Sequence, residues 1–481
     1  MISDIKYKTF DFKRLSSGVD LDGVPATDNL GCAKNTYNFS YFDNKIKDGY
    51  GLSYYYVTQN NVTSALVFPA NIVAKKMYSI YFKDETYSCL IVIGHNLKPY
   101  MWKYSDTTNQ VVQLNFTLQG IPCVFGYVSN NAHMLGFSYN GKITTYNIEE
   151  GVVDFINNAY DVGEISFLDN CVIGIPNDDQ YSFWYSESFS PSDWVKSLNK
   201  CTIQKVDLLL GKCLKIFKLE ENLYLVREFG IQRLVWDIDS NKYQIQNVGE
   251  SIGRIYSNSI GQYGSKIVYL TTNGLYEFNG NSSKKLKTNV EHILSGYENT
   301  STACQNGKYF ISSKYDFGDE SIGIETSEDY SNNILLCIDL ESKIETIFRG
   351  IDVVQLIPIN TTFITDIGLI VYDGEKNQLS RLKSNCKIFN QNIKKHWESI
   401  PTDFGLPDKK KILSRFFIIT KQDITITFYM DNKKYTTKIK GSEFVQTIRP
   451  NLSGQMFWYA IDSYVADNEI YSMKVLVGYE S

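Results

Sequence analysis

Gly274–Leu275–Tyr276–Glu277–Phe278–Asn279–Gly280 and Gly368–Leu369–Ile370–Val371–Tyr372–Asp373–Gly374 are two versions of one pattern, an aromatic-rich strand that runs from a glycine into an Asn-Gly or Asp-Gly turn. Upstream of this pattern the chain carries two further short strands, as in Ile165–Leu168 with Cys171–Ile175, Leu214–Phe217 with Leu223–Arg227, and Val353–Leu356 with Thr362–Thr365. Superimposing the hydrophobic runs aligns Cys123–Phe155, Glu164–Trp194, Cys213–Val248, Ile255–Leu286 and Asp352–Leu382, while Lys75–Leu114 and Ser301–Phe348 fit more loosely. A unit of about 40 to 50 residues made of short strands cannot bury its faces alone, so the copies must stack on one another, and a closed ring satisfies all of them. The chain therefore reads as all-β: a β-propeller of about seven blades with an N-terminal arm and a C-terminal small β-sandwich. Six or eight blades stay open because the copy from Ser301 carries a long acidic insertion.

Composition agrees with strands. Aromatic residues make up 14% of the 481 residues, with 35 Tyr and 27 Phe, and such side chains favour pleated, half-buried surfaces. A chain of this length exceeds one core and predicts more than one domain. With 48 Lys and Arg against 53 Asp and Glu the net charge is −5, so no broad basic footprint marks a nucleic-acid binder, although a local positive rim is compatible with it. Met1 to Phe10 carries Asp4, Lys6 and Lys8 in place of the apolar run of a signal peptide, and no apolar stretch is long enough to span a bilayer. The 9 cysteines are scattered without a Cys-x-x-Cys pair, and Cys171 and Cys337 sit inside apolar strands. That usage predicts buried thiols, synthesis in a reducing compartment and no disulfide framework.

The expected organisation has four parts. Residues 1–59 form an N-terminal arm and closing strand, with Gly18, Gly23 and Pro25 before a strand around Thr36–Phe42 and a turn at Asp43–Asn44. The arm reads as too polar and irregular to build a core, so it is expected to take its order from a partner and to pair as the outermost strand of the last blade. Residues 60–382 form the propeller. Residues 383–411, polar and holding Pro401 and Pro407, read as a linker. Residues 412–481 restart the β pattern, with Ile424, Ile426, Phe428 and Met430 alternating with polar residues before a turn at Asp431–Asn432, and predict the sandwich.

Chemistry-bearing patterns are missing from the sequence. His95, His133, His292 and His396 are far apart and none has a ligand partner at helical spacing. There is no phosphate-binding Gly-x-x-x-x-Gly-Lys-Ser/Thr loop, because Gly136–Lys142 is followed by Ile143, and Gly249–Glu250–Ser251–Ile252–Gly253 has the Gly-x-Ser-x-Gly spacing without the helix pattern that a nucleophile elbow needs after it. Asp237-x-Asp239-x-Asn241 opens like a calcium loop, but Lys242 stands where the turn needs Gly and Val248 where a bidentate Glu is needed, so a plain turn is expected. Asp316, Asp319, Glu320, Glu325, Glu328 and Asp329 read as a solvated, mobile loop. Carboxylate pairs for glycoside hydrolysis are placed by the fold and not by spacing, yet the Ser-x-Asp-x-Gly-x-x-Trp turn of sialidases is absent. Trp184, Trp194 and Trp236 could stack on sugars, but packing between blades is the expected role of each. The sequons at Asn38, Asn61 and Asn115 read as chance in an Asn-rich chain. The expectation is a chain with no catalytic, cofactor-binding or metal residues, no cofactor and no enzyme activity.

Ser182–Phe183–Trp184–Tyr185–Ser186–Glu187, followed by Pro191–Ser192–Asp193–Trp194, is similar to a Trp-Ser-Glu and Asp-Pro-x-Asp-Trp segment of β-propeller structural proteins of bacteriophage tails and head-to-tail junctions, the stabilisation or tail hub type. Val268 to Gly280 resembles that family's strand pair, and Arg227–Glu228–Phe229–Gly230–Ile231–Gln232–Arg233 its intervening strand. Asn35–Thr36–Tyr37–Asn38, Ile46–Lys47–Asp48–Gly49–Tyr50–Gly51 and Arg449–Pro450–Asn451–Leu452–Ser453–Gly454 fit the family's opening and its C-terminal sandwich. One departure is Asp48, where relatives carry a basic residue. The resemblance implies a non-enzymatic virion protein, made in the host cytoplasm and assembled in several copies around the tail axis. Its implied partners are copies of itself in a ring and portal, adaptor or distal tail components, with nucleic acid only incidentally near. The alternative is a receptor- or carbohydrate-binding propeller at the tail tip. Ser186, Trp194, Gly274 and Gly280 are the expected structural signature, and Asn44, Lys45 and Tyr50 the expected interface positions.

Overall fold

The computed structural model describes residues 5–12, 33–42, 45–54, 56–59, 62–66, 72–106, 111–249, 253–286, 288, 290–294, 300–318, 320–325, 332–372, 377–384 and 386–480. Five four-stranded antiparallel sheets follow one another along the chain as blades 1 to 5. Their inner strands are Ala74–Ile80, Cys123–Ser129, Glu164–Phe167, Cys213–Leu219 and Gly261–Tyr263. Asn makes many of their turns: Asn130–Asn131 and Asn140–Gly141 both have two successive positive φ angles, the geometry that matches the twist of paired strands.

Blades 6 and 7 share one sheet. The 16-residue strand Glu345–Asn360 pairs through its first half with Asn332–Asp339, as the outer strand of blade 6. Its second half pairs with Thr365–Tyr372, as the inner strand of blade 7. Blade 7 then adds Asn377–Lys383, and its outer strand is Gly51–Ser53 from the N-terminal arm, with Leu52 opposite Leu382. The ring thus has seven blades, closed by a strand from the start of the chain. Blade 7 meets blade 1 through Gln355, whose side-chain amide donates to Met77 O at 2.8 Å and accepts from Met77 N at 2.9 Å. Each joint between neighbouring blades is filled by its own hydrophobic cluster.

The sandwich is made from both ends of the chain. One sheet contains Phe39–Phe42, Lys45–Asp48, Glu469–Glu480, Lys411–Thr420 and Ser442–Ile448, with Ile5–Asp11 paired to Glu469–Glu480. The other contains Ala33–Tyr37, Lys395–Ser399, Phe457–Ser463, Ile424–Met430 and Lys433–Ile439. Strict inward alternation along Ile424–Met430 buries Ile424, Ile426, Phe428 and Met430 against Phe416, Phe457 and Tyr459. Two expectations change here. The N-terminal arm builds core, because Phe12, Ala33, Tyr37, Phe39 and Ile46 are all buried. Residues 383–411, expected as a linker, hold the strand Lys395–Ser399 with Trp397 fully buried. In both cases the pairing partners lie hundreds of residues away, so the local polarity that suggested loops conceals half-buried strands.

Propeller and sandwich are joined through Asn38, which is buried at a φ of 64°. Its backbone N donates to Ile347 O at 2.8 Å, its side-chain oxygen accepts from Arg349 N at 2.8 Å, and its amide donates to Lys394 O at 2.8 Å. Its burial also rules out this sequon as a glycan acceptor in the folded chain. Asp48, the departure from the basic residue, forms a buried ion pair with Lys395 and accepts from Asp467 N at 2.6 Å. Burial outweighs Lys395 and holds the Asp48 carboxyl above its usual range. The acidic insertion is not simply solvated. Glu325 pairs with Arg349 at 2.7 Å with both side chains 3% exposed, and also accepts from Gly350 N at 2.9 Å and Ile322 N at 3.0 Å. Asp319, Glu328 and Asp329 lie outside the described residues.

Candidate functional site at the mouth of the central channel

The inner strands of a propeller edge a central channel, and here they begin around a cavity of about 770 Å³. A second cavity of about 450 Å³ continues towards blades 6 and 7 and shares Lys76, Lys215 and Asn258 with the first. Lys76 comes from the inner strand of blade 1, Glu164 from blade 3 and Lys215 from blade 4. Three charged side chains are therefore delivered to one space by three separate sheets.

Their electrostatics are those of groups held in a poor solvent that retain access through the cavity. Burial pushes the Glu164 carboxyl above the usual glutamate range, against the pull of Lys215 and Lys76. Burial, then repulsion from Lys215, lowers the Lys76 ammonium, with Glu164 opposing. Among the described residues Lys76 has no hydrogen-bond or ion-pair partner, and Lys215 donates only to Ile260 O at 3.4 Å. At the rim Arg254 lies 3.5 Å from Glu228, whose carboxylate accepts from Lys212 N at 3.0 Å.

This arrangement attracts charge, and neither a thiolate nor an imidazole stands in it. Cys123 lines the cavity, but burial raises its thiol far above the range in which a thiolate forms. No histidine lines it. His133 stacks on Tyr87 at 4.0 Å and bonds Glu149, His396 lies in the sandwich, and the His292 side chain is outside the described residues. No group of three metal-ligating side chains occurs among the described residues. The Asp237 carboxylate is occupied by Ser240 Oγ at 2.7 Å, Gln244 Nε2 at 3.1 Å and Asp239 N at 3.1 Å, which makes the calcium-like run a turn.

The sequence-derived positions fall elsewhere. Trp194 is fully buried in the joint between blades 2 and 3, against Phe125 at 5.5 Å and Trp184 at 5.1 Å, with its indole N–H donated to Ser188 O at 2.9 Å. Ser186 donates to Lys200 O at 3.1 Å and accepts from Ser188 N at 3.2 Å, shaping the same segment. Gly274 and Gly280 take φ of 110° and 93°, and the Gly280 carbonyl accepts from Tyr224 of blade 4 at 3.0 Å. Trp236 departs from the packing expectation, since it is 40% exposed beside Tyr185 and Tyr243.

Of the expected interface positions, Asn44 lies outside the described residues. Lys45 sits over Tyr471 at 4.8 Å within the sandwich. Tyr50 accepts from Lys308 Nζ at 3.0 Å and packs on Phe310, and burial raises its phenol well above the usual value. The structure brings none of these together at the channel. Lys76, Glu164 and Lys215 carry no shared sequence signal, since the inner strands Cys123–Ser129 and Gly261–Tyr263 have no charge at the matching place.

No family model matches the chain, and no curated protein matches it. Among solved structures it is similar to BamB from Moraxella catarrhalis, at 9% identity over 70% of this chain and 99% of that one with a TM-score of 0.41. U3-55K is similar at 9% identity over 66% and 96%, with a TM-score of 0.41. A third, BBS1N in complex with ARL6DN, is similar at 13% identity over 48% and 73%, with a TM-score of 0.33. No helix among the described residues is long and apolar enough to cross a membrane.

Proposed function

We propose that the protein is a non-catalytic structural component of a bacteriophage virion, at the tail or the head-to-tail junction, assembled in several copies around the tail axis. The observation that carries this reading is the way one chain welds a ring to a sandwich. A continuous hydrophobic cluster runs from Val268 and Ile334 in blades 5 and 6 to Phe416 and Tyr459 in the sandwich, and the N-terminal arm is paired into both. A body joined in this way is suited to holding neighbours at a fixed distance. It also offers the strand Ser442–Ile448 at a sheet edge, with Phe444 80% and Val445 60% exposed, as a surface on which a neighbouring subunit can dock. Burial of Trp184 and Trp194 leaves only Trp236 of the three tryptophans to stack on a sugar, which favours this reading over the carbohydrate-binding alternative.

The test is quantitative mass spectrometry of purified particles of the virus that encodes the chain, with electron microscopy after labelling by a specific antibody. Several copies per particle at the tail or its junction are expected. Absence from particles, or turnover of a host polysaccharide by the isolated chain, would overturn the reading.

A further inference from the structure

We infer that the mouth of the central channel is a binding site for a small multivalent oxyanion, of the phosphate-ester or polycarboxylate class, gripped between Lys76 and Lys215. Three observations carry this. The first is the balance of charge: the cavity is lined by Lys76, Lys212, Lys215 and Arg254 against only Glu164 and Glu228, in a chain whose net charge is −5. Surface composition alone would place acidic groups there at least as often as basic ones.

The second is the state of the lysines. A buried ammonium is normally satisfied by a carboxylate or by carbonyl oxygens. Lys395 and Lys411 in the sandwich follow that rule, Lys395 with Asp48 and Lys411 with the carbonyls of Lys409 and Gln455, both at 2.9 Å. Lys76, half-buried in the cavity wall, has no such partner among the described residues, and it lines the shared cavity together with Lys215. The third is size and setting. A concave space of about 770 Å³ within low-dielectric walls falls in the range of small-ligand sites and concentrates the field of its charges. Glu164 beside the lysines keeps the site from holding any anion indiscriminately, and it can accept from a hydroxyl of the ligand. This site requires neither a virion nor assembly, so it stands apart from the proposed structural role.

Isothermal titration of the full chain with sodium pyrophosphate and, separately, sodium citrate tests the inference. Saturable binding of at least one anion is expected, weakened about tenfold or more in Lys76→Met and in Lys215→Met and unchanged in Lys434→Met, an exposed lysine of the sandwich. The tighter of the two anions identifies the phosphate or the carboxylate class. Should either channel variant fail to fold, reductive methylation of the wild-type chain followed by mass spectrometry gives the same answer, because the bound anion should slow modification of Lys76 and Lys215 and not of Lys434. No saturable binding of either anion at millimolar concentration, equal affinity in the channel variants, or unprotected channel lysines would overturn it.

Discussion

Arg349 is gripped from every side: Glu325 takes its Nε at 2.7 Å and its Nη2 at 3.1 Å, Glu320 O takes Nη2 at 2.9 Å, and Phe317 and Tyr37 lie 4.2 Å and 4.9 Å from its guanidinium. Removing one member of a buried pair strands the other charge, so Glu325→Ala is expected to cost about 3–5 kcal/mol in urea denaturation. Replacing both partners with apolar residues of similar volume should cost much less. Trp194→Ala, which empties the joint between blades 2 and 3, is expected to cost ~3–5 kcal/mol. A variant that kept its full melting temperature would disprove the packing role. His396 gives a dependence on pH. Burial disfavours its charge, but Asp462 at 2.9 Å and Glu398 at 3.8 Å outweigh that and raise it above its usual 6.5. A raised folded value means that this contribution is fully present below pH 6.5 and is lost as pH rises through the raised value. The stability advantage of wild type over His396→Asn should therefore shrink in that direction, as read by denaturation midpoints across a pH series.

At the level of elements, the N-terminal arm is part of the sandwich core. Because Phe12, Tyr37 and Phe39 fill the sandwich core, deleting residues 1–44 should expose that core and send the chain into aggregates. Soluble yield and amide exchange over Ile424–Met430 are the measurements, and a soluble truncated chain with a protected sandwich would contradict the structure. The blades were legible because each copy repeats its turn chemistry and its alternation locally, as Gly274–Gly280 does. Ile5–Asp11 was not, because its partner Glu469–Glu480 is at the other end of the chain and no local pattern announces it. Lys395–Ser399 was concealed by its polar flanks. The channel site was concealed for another reason: single charges in three blades become a cluster only when the ring closes.

Taken as one body, the molecule is joined between its two parts by apolar and polar contacts alike. The cluster linking blades 5 and 6 to the sandwich and the polar links of Asn38 and Asp48 predict one cooperative unfolding transition in calorimetry. Two resolved transitions would show that ring and sandwich melt separately.

Closure of blade 7 by Gly51–Ser53 also sets a schedule for biosynthesis. The closing strand leaves the ribosome early, but its partner Arg381–Lys383 is made about 330 residues later, roughly 15–65 s at common elongation rates. The sandwich waits longer still, since Glu469–Glu480 is made hundreds of residues after its partners Ile5–Asp11 and Lys45–Asp48. Throughout that interval Tyr37, Phe39 and Leu52 lack their partners, so a nascent chain released early by a premature stop would carry an exposed apolar head and no means of hiding it. A chain broken off before Arg381 therefore lacks both the closed ring and the finished sandwich.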